Sequence, residues 1–258
     1  MDLILRGILS YTSKRSGVRL DMYRESYIRR RIELRMRFLG LNDLSEYFRY
    51  IKSNEEEVNE LVNAIAINVT EFMRDRSPFE FFMQKILPEL ASRRSGIIRF
   101  WSAGCANGEE PYSIAIAVLE TLPDRGFSIY ATDIDDDSLK KASEGIYERD
   151  QLKNLSPELL NKYFEKTGNR YKVKEFVKKH VRFKKHDLTS QEPITKYLDA
   201  IFCRNVMIYF TEEQKEKVLR DFYNALNSGG YLIIGKSESI PKIGFECVNL
   251  SEKIYRKV

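Results

Sequence analysis

The chain is poor in the residues that usually build metal centres and acid–base machinery. Its 258 residues include two histidines, His180 and His186, and three cysteines, Cys105, Cys203 and Cys247, with no paired short spacing among the cysteines. No zinc constellation is visible in that set, and reduced thiols are the simplest state for the cysteines. No segment approaches 18 consecutive apolar residues, so a membrane-spanning helix is not expected. The N-terminus, Met1 to Leu9, carries an acid at position 2 and no long apolar run, unlike a secretory leader. A cytoplasmic protein is expected. A large excess of one charge is missing too: Lys plus Arg exceeds Asp plus Glu by only five, which leaves nucleic-acid binding without support. Internal repeats and low-complexity tracts are absent.

What is present is 43% apolar and 12% aromatic content, enough to bury a core in one large domain or two modest ones. Residues 1 to about 70 read as helices. Asp43 suits an N-cap before Tyr47, Phe48 and Ile51, and Val58, Leu61, Val62, Ile65 and Ala66 follow at helical spacing. From Gly96 the texture changes to short β-rich runs separated by helices: Ile97 to Trp101, Ile129 to Thr132, Ala200 to Cys203 and Tyr231 to Ile234. That alternation predicts a parallel sheet with crossover helices. The boundary falls near Thr70 to Arg76, giving a helical domain over 1–72 and an α/β domain over 73–258. The stretch Tyr147 to Asp187 is too long for one crossover. Ser156-Pro157-Glu158 opens a short helix there, and the runs Tyr171 to Lys174 and Val181 to Phe183 suggest strands, so a small hairpin insert is expected at about 148–185.

The segment Arg99 to Pro111 is a strand, a glycine-bearing loop and a helix start in one run, with Pro111 in the first turn and Ile114, Ala115, Val118, Leu119 and Leu122 on one face. Glycine at a strand's carboxyl end lets a ligand approach the backbone closely. The run lacks the three glycines of a dinucleotide fingerprint and the lysine of a phosphate loop. Two acids at the helix start, Glu109 and Glu110, would repel pyrophosphate and tolerate a cation, as S-adenosylmethionine is. Asp133, 29 residues beyond Gly104, ends the second predicted strand. Its carboxylate either accepts both ribose hydroxyls of an adenosine or caps the next helix.

With these residues in view, the chain resembles the CheR-type chemotaxis receptor methyltransferases. The matching stretches are Asn68 to Arg74, Trp101 to Gly104 with Gly108 to Ser113, Ala131 to Asp135, and Phe202 to Phe210, with Arg37 to Leu41 near the start. The resemblance covers nearly the whole chain. It implies an all-α N-terminal domain joined to a Rossmann-like α/β sheet of the class I S-adenosylmethionine-dependent methyltransferases, closed by an antiparallel pair near Glu246 to Leu250 and Lys253 to Arg256. The insert after Tyr147 resembles the family's β-subdomain, which in some members docks a receptor's C-terminal peptide. The resemblance implies S-adenosylmethionine as cofactor, S-adenosylhomocysteine as product, and no metal. By the same similarity Asn68, Thr70 and Arg74 would reach the cofactor from the interdomain segment, with Gly104 at the loop. Glu110 and Asp133 would hold its amino-acid and ribose parts, Asp187 and Leu188 its adenine side, and Asn205 with Val206 would line the pocket. Other roles exist for two of these: Asn205 as a strand-end turn residue and Arg74 as half of a surface ion pair.

The implied reaction esterifies glutamate on the cytoplasmic helical bundle of methyl-accepting receptors, by a monomer that neither binds nucleic acid nor enters the membrane. A glutamate carboxylate, with a pKa of about 4.3, is already the ionised nucleophile at neutral pH, so no general base is required. Arg74 or Tyr209 would orient it. Between Tyr27 and Leu39, Ile28, Ile32, Met36 and Leu39 share one helical face, Arg30 and Arg37 lie nearly opposite, and Arg31 and Arg35 flank it. Because the family's receptor bundles are acidic, Arg31, Arg35 and Arg37 are candidates for docking, against the alternative of a merely solvated basic face. The rival functions are a methyltransferase of another acceptor and a cofactor-binding signalling protein without turnover. The chain has Cys203-Arg204-Asn205-Val206 where exocyclic-amine methyltransferases carry an Asp/Asn-Pro-Pro-Tyr motif, which counts against base amines.

Overall fold

In the computed structural model, which describes residues 2–66, 70–190, 194–241 and 244–258, the chain begins with four helices. These are α1 (Leu3–Ser16), α2 (Glu25–Leu39), α3 (Leu44–Ser53) and α4 (Glu56–Ile65). Local chemistry marks the ends of the first two and the start of the third. Gly17 and Gly40 take the left-handed conformation after α1 and α2, and Asp43 caps α3 by accepting from Glu46 N at 2.8 Å. Ile28, Ile32 and Met36 of α2 are buried, while Arg30 and Arg37 are exposed.

A second group follows: α5 (Ser77–Phe81), continued through a π-helical turn into α6 (Leu87–Arg93), then β1 (Ile98–Ala103), α7 (Glu109–Thr121), β2 (Phe127–Asp133) and α8 (Asp136–Glu144). The small elements β3 (Ile146–Glu148), α9 (Pro157–Tyr163), β4 (Phe164–Thr167), β5 (Arg170–Val173) and α10 (Glu175–Lys178) come next. The chain ends with β6 (Val181–Lys185), β7 (Leu198–Cys203), α11 (Glu212–Ala225), β8 (Leu226–Ile234), β9 (Phe245–Asn249) and β10 (Ile254–Lys257).

The main sheet has the order β6-β2-β1-β7-β8-β10-β9. Its first five strands are parallel and the β10–β8 and β10–β9 pairs antiparallel. All six residues of β7 are buried, as expected for a parallel strand covered by helices on both faces. The order reverses between β1 and β7, which opens a crevice at their carboxyl ends where ligands of such sheets bind. The predicted α/β architecture, its helical N-terminal part and the closing antiparallel pair are all present.

Two local expectations differ. Val181 to Lys185 does not belong with the inserted strands: it pairs with β2, Ile129 opposite Val181 through Asp133 opposite Lys185, and forms the edge of the main sheet. The inserted sheet is β3-β5-β4 and starts at Ile146. And α7 is buried from Pro111 through Val118 rather than on one face, because α6, α10 and the π-helical turn pack on it as well as the strands β1, β2 and β6.

Candidate functional site

Gly104 ends β1 with φ +82°, and a Cβ there would lie 2.4 Å from Val206 Cγ2. Only glycine fits this juncture, where the β1–α7 loop meets the β7–α11 loop. The first loop is then held by Asp133 at the end of β2. Its Oδ2 accepts from Ala106 N at 2.8 Å and its Oδ1 from Asp135 N at 3.1 Å. Asp133 therefore braces the glycine loop, and it is Asp135, accepting from Asp137 N at 2.9 Å, that caps α8. Burial raises the pKa of Asp133 against the pull of the amides.

The second loop carries Asn205, a non-glycine residue at φ +62°, a conformation asparagine tolerates better than most. Glu238, 5% exposed, holds it there. One carboxylate oxygen accepts from Asn205 N (3.0 Å) and Gly235 N (2.6 Å), the other from Val206 N (3.1 Å) and Ile208 N (3.2 Å). Four backbone donors on one buried carboxylate fix the whole turn. Asn205 Oδ1 is buried and has no hydrogen-bond partner among the described residues, so an acceptor stands ready for a donor from outside.

Two adjoining cavities meet at Gly104, Asn205, Val206 and Tyr209. One is largely apolar and aromatic, lined further by Tyr23, Ile65, Ala66, Asp133, Ile134, His186, Leu188 and Phe210. The other is polar, lined further by Thr70, Glu71, Arg74, Phe79, Ala106, Glu110, Arg204 and Ile208. In the polar cavity Ser102 Oγ donates to Glu110 at 2.7 Å, and burial raises the Glu110 pKa while Arg204, 4.0 Å away, opposes the rise. Arg204 also pairs with Asp75 at 2.7 Å, and its side chain is 2% exposed.

That pair pins the interdomain segment to the end of β7. Met73 and Asp75 there have φ of +49° and +54°, strained values that persist only when neighbours hold them. Met73 N donates to Ser113 Oγ at 2.9 Å and Phe72 N to the Gln151 carbonyl at 3.0 Å. Arg74 is thereby brought near both Glu110 and Tyr209. Burial lifts the pKa of Tyr209, with Arg31 and Arg74 opposing, so its hydroxyl is a donor at neutral pH.

The structure thus gathers Thr70, Arg74, Gly104, Glu110, Asp133, Leu188, Asn205, Val206 and Tyr209 around one crevice. Asn68 lies outside the described residues. Asp187 stands apart: its carboxylate accepts from Thr189 N (2.7 Å), Thr189 Oγ1 (2.8 Å) and Arg19 N (3.4 Å), shaping the turn that presents Leu188. Among the three arginines of α2, Arg37 is exposed, and Arg31 lies over the Tyr27 ring, 5.2 Å from its centroid. Arg35 turns inward. It holds Glu57, itself 2% exposed, through Nε at 2.9 Å and Nη2 at 2.6 Å, and reaches Glu60 at 3.3 Å. Tyr47 donates to the same Glu57 at 2.8 Å. Arg35 is therefore committed to the core of the helical domain.

Residues that sequence reasoning missed include Tyr23, His186, Arg204 and Glu238. Arg204 lies inside the Phe202 to Phe210 stretch, and Glu238 is an acid just past the carboxyl end of a strand, a signal that could have found it. Nothing in the local sequence singles out Tyr23. Among the described residues, no group of three or more His, Cys, Asp and Glu could hold a metal, and no helix is long and apolar enough to cross a membrane.

A mostly parallel seven-stranded sheet closed by an antiparallel pair, with a glycine loop and two acids at its switch-point crevice, is the architecture of the class I S-adenosylmethionine-dependent methyltransferases. The lining suits that cofactor: a bare backbone at Gly104, an unsatisfied acceptor at Asn205 for an ammonium, and an apolar aromatic end for a purine. Comparison with known families agrees. The CheR methyltransferase SAM binding domain matches residues 68–254, and the CheR methyltransferase all-alpha domain matches residues 5–66. The chain belongs to the CheR methyltransferase family. Proteins named chemotaxis protein methyltransferase are 36% identical to it in Vibrio parahaemolyticus, over 100% of this chain and 97% of that protein, and 36% identical in Escherichia coli, over 92% and 85%. The Listeria monocytogenes protein of that name is 35% identical over 87% of this chain and 85% of its own length.

Proposed function

We propose that this protein transfers methyl from S-adenosylmethionine to glutamate side chains on the cytoplasmic helical bundle of chemotaxis receptors, tuning their adaptation. The observation that carries the proposal is the polar cavity, where Arg74 and the protonated Tyr209 stand together beside the crevice, while Arg204, paired with Asp75, closes the wall behind them. Arg74 offers a carboxylate a cation and Tyr209 a hydrogen-bond donor, and no histidine is among the residues lining this cavity. An ionised glutamate needs none: with a pKa of about 4.3 it is the nucleophile already.

Bound in the crevice, the cofactor supplies a methyl group on a sulfonium, open to in-line displacement. The chain's residues supply alignment and shielding from water. Arg74 draws the acceptor carboxylate in. Tyr209 donates one hydrogen bond and fixes its direction while leaving an oxygen lone pair free to attack. Glu110, Asn205 and Thr70 would hold the amino-acid end of the cofactor, with Asn68 joining them by the family's motif; Asp133 would serve the ribose, and Leu188 and Val206 would line the adenine side. Asp187 acts behind Leu188. On this reading residues 1–72 recognise the receptor and 73–258 carry the transfer, in a cytoplasmic monomer. Arg37 and the neighbouring Arg30 meet the acidic bundle, and Arg31 stands nearer the cavity mouth.

The test is transfer of labelled methyl from S-adenosylmethionine to a purified receptor cytoplasmic domain, followed by mild alkali. Volatile methanol released from glutamate is the expected result. Cofactor binding without transfer, or label stable to alkali, would remove glutamate as the acceptor.

A further inference from the structure

We propose that Tyr27 is a positioning residue for methyl transfer: it fixes the Tyr209 side chain at the junction of the two cavities and ties it to the end of α4. The proposal rests on the role given above to Tyr209.

The chain from Met22 to Tyr27 is fastened to the chain from Tyr209 to Thr211. Arg24 N donates to the Tyr209 carbonyl at 2.9 Å, Thr211 N to the Met22 carbonyl at 3.0 Å, and Arg24 Nε to the Phe210 carbonyl at 3.2 Å. These bonds anchor the backbone of Tyr209 and leave its side chain free to swing about Cα–Cβ, which would carry the hydroxyl out of the cavity junction. Tyr27 blocks that swing. Its ring stacks on Tyr209 with centroids 4.5 Å apart and planes 26° from parallel, at the short end of favourable aromatic separations.

Tyr27 is itself held at both ends. It leaves α2 in the first turn, and its hydroxyl donates to the carbonyl of Ile65, the last residue of α4. Burial pushes its pKa up to about 12, so the hydroxyl keeps the proton that this bond requires. Arg31, one turn along α2, lies over the Tyr27 ring. One side chain thus joins the arginine-bearing helix, the helix leading into the interdomain segment, and the tyrosine that faces the acceptor. A helix seated on α2 is thereby linked mechanically to Tyr209.

The test compares the full-length wild type with Tyr27→Phe, Tyr27→Leu and Tyr209→Phe. The readouts are kcat and KM for a receptor cytoplasmic fragment, affinity for S-adenosylhomocysteine by calorimetry, and the tyrosine ring resonances of ¹³C-labelled protein. Loss of alignment at a reacting centre costs rate without binding, so Tyr27→Leu is expected to lower kcat by about tenfold to a hundredfold. Both KM and product affinity should stay near wild type, and the ring-current shift of Tyr209 should vanish. Tyr27→Phe keeps the stack and loses only the tie to Ile65, so it should retain the shift and lose a smaller part of kcat than Tyr27→Leu. Wild-type kcat in Tyr27→Leu, equal impairment of the Phe and Leu variants, or a parallel loss of cofactor affinity would each overturn the positioning role. A wild type with an intact ring shift and no transfer to receptor glutamate would instead sink the function assigned to the site, and the role of the stack with it.

Discussion

Replacing Glu238 with glutamine tests whether one buried carboxylate organises the cofactor side of the crevice. Each oxygen of Glu238 accepts from two backbone amides, Asn205 and Gly235 on one side and Val206 and Ile208 on the other. Glutamine keeps one acceptor oxygen and turns an NH₂ toward the remaining pair of donors. Two buried N–H groups are then orphaned, and at about 1–3 kcal/mol each the penalty is about 2–6 kcal/mol. The turn can relieve it only by releasing Asn205 from its left-handed conformation, which moves Asn205 and Val206 off the cavity wall. Urea unfolding should show the stability loss. Calorimetry should show affinity for S-adenosylhomocysteine reduced by about tenfold or more, the equivalent of roughly 1.4 kcal/mol. A variant with wild-type unfolding midpoint and wild-type affinity would refute the argument, because it would mean that the four amides find other partners at no cost.

Arg35→Ala should behave as a core substitution and not as a docking one. Removing one member of a buried pair leaves Glu57 uncompensated, at about 3–5 kcal/mol, to be read from thermal unfolding, whereas Arg37→Glu should leave stability intact and raise KM for an acidic receptor fragment in a salt-dependent way. Glu109→Gln should stabilise the protein at alkaline pH. Burial raises the Glu109 pKa from 4.5 to about 7, so its folded-state contribution is fully present below pH 4.5 and lost as pH rises through 7. By pH 8 the ionised side chain costs about 3 kcal/mol, at 1.36 kcal/mol per pKa unit. The variant keeps the acceptor for Gln151 Nε2, now at 2.6 Å, and its advantage over wild type should disappear at pH 4. An advantage independent of pH would count against this account.

The elements most legible in the sequence were those with strong local signals. The buried strands announce themselves as short β-rich runs, the Asp43 cap and the Ser156-Pro157 helix start as turn chemistry, and Gly104 as the glycine that ends a strand before acids. The inserted segment was less legible. Val181 to Lys185 alternates in the way of any half-buried strand, and nothing local says whether its partner is the neighbouring hairpin or β2. The arginines of α2 show the same limit. Periodicity puts Arg35 at the flank of the apolar face, but its direction depends on Glu57, which α4 brings across from 22 residues away.

Sequence alone determined the class of fold, the helical domain in front of it, the position of the glycine loop and the family. Those depend on local periodicity, on steric rules at single residues and on short motifs, all of which are written in consecutive positions. Tertiary structure decided which charged groups line the crevice and which brace the chain behind it. Glu238 meets Asn205 from 33 residues away, Arg204 meets Asp75 from 129, and Tyr27 reaches Tyr209 from the other end of the chain. Whether a carboxylate braces a loop or a guanidinium faces solvent is set by desolvation and by the partner opposite, and the partner is chosen by packing between elements that are distant in sequence.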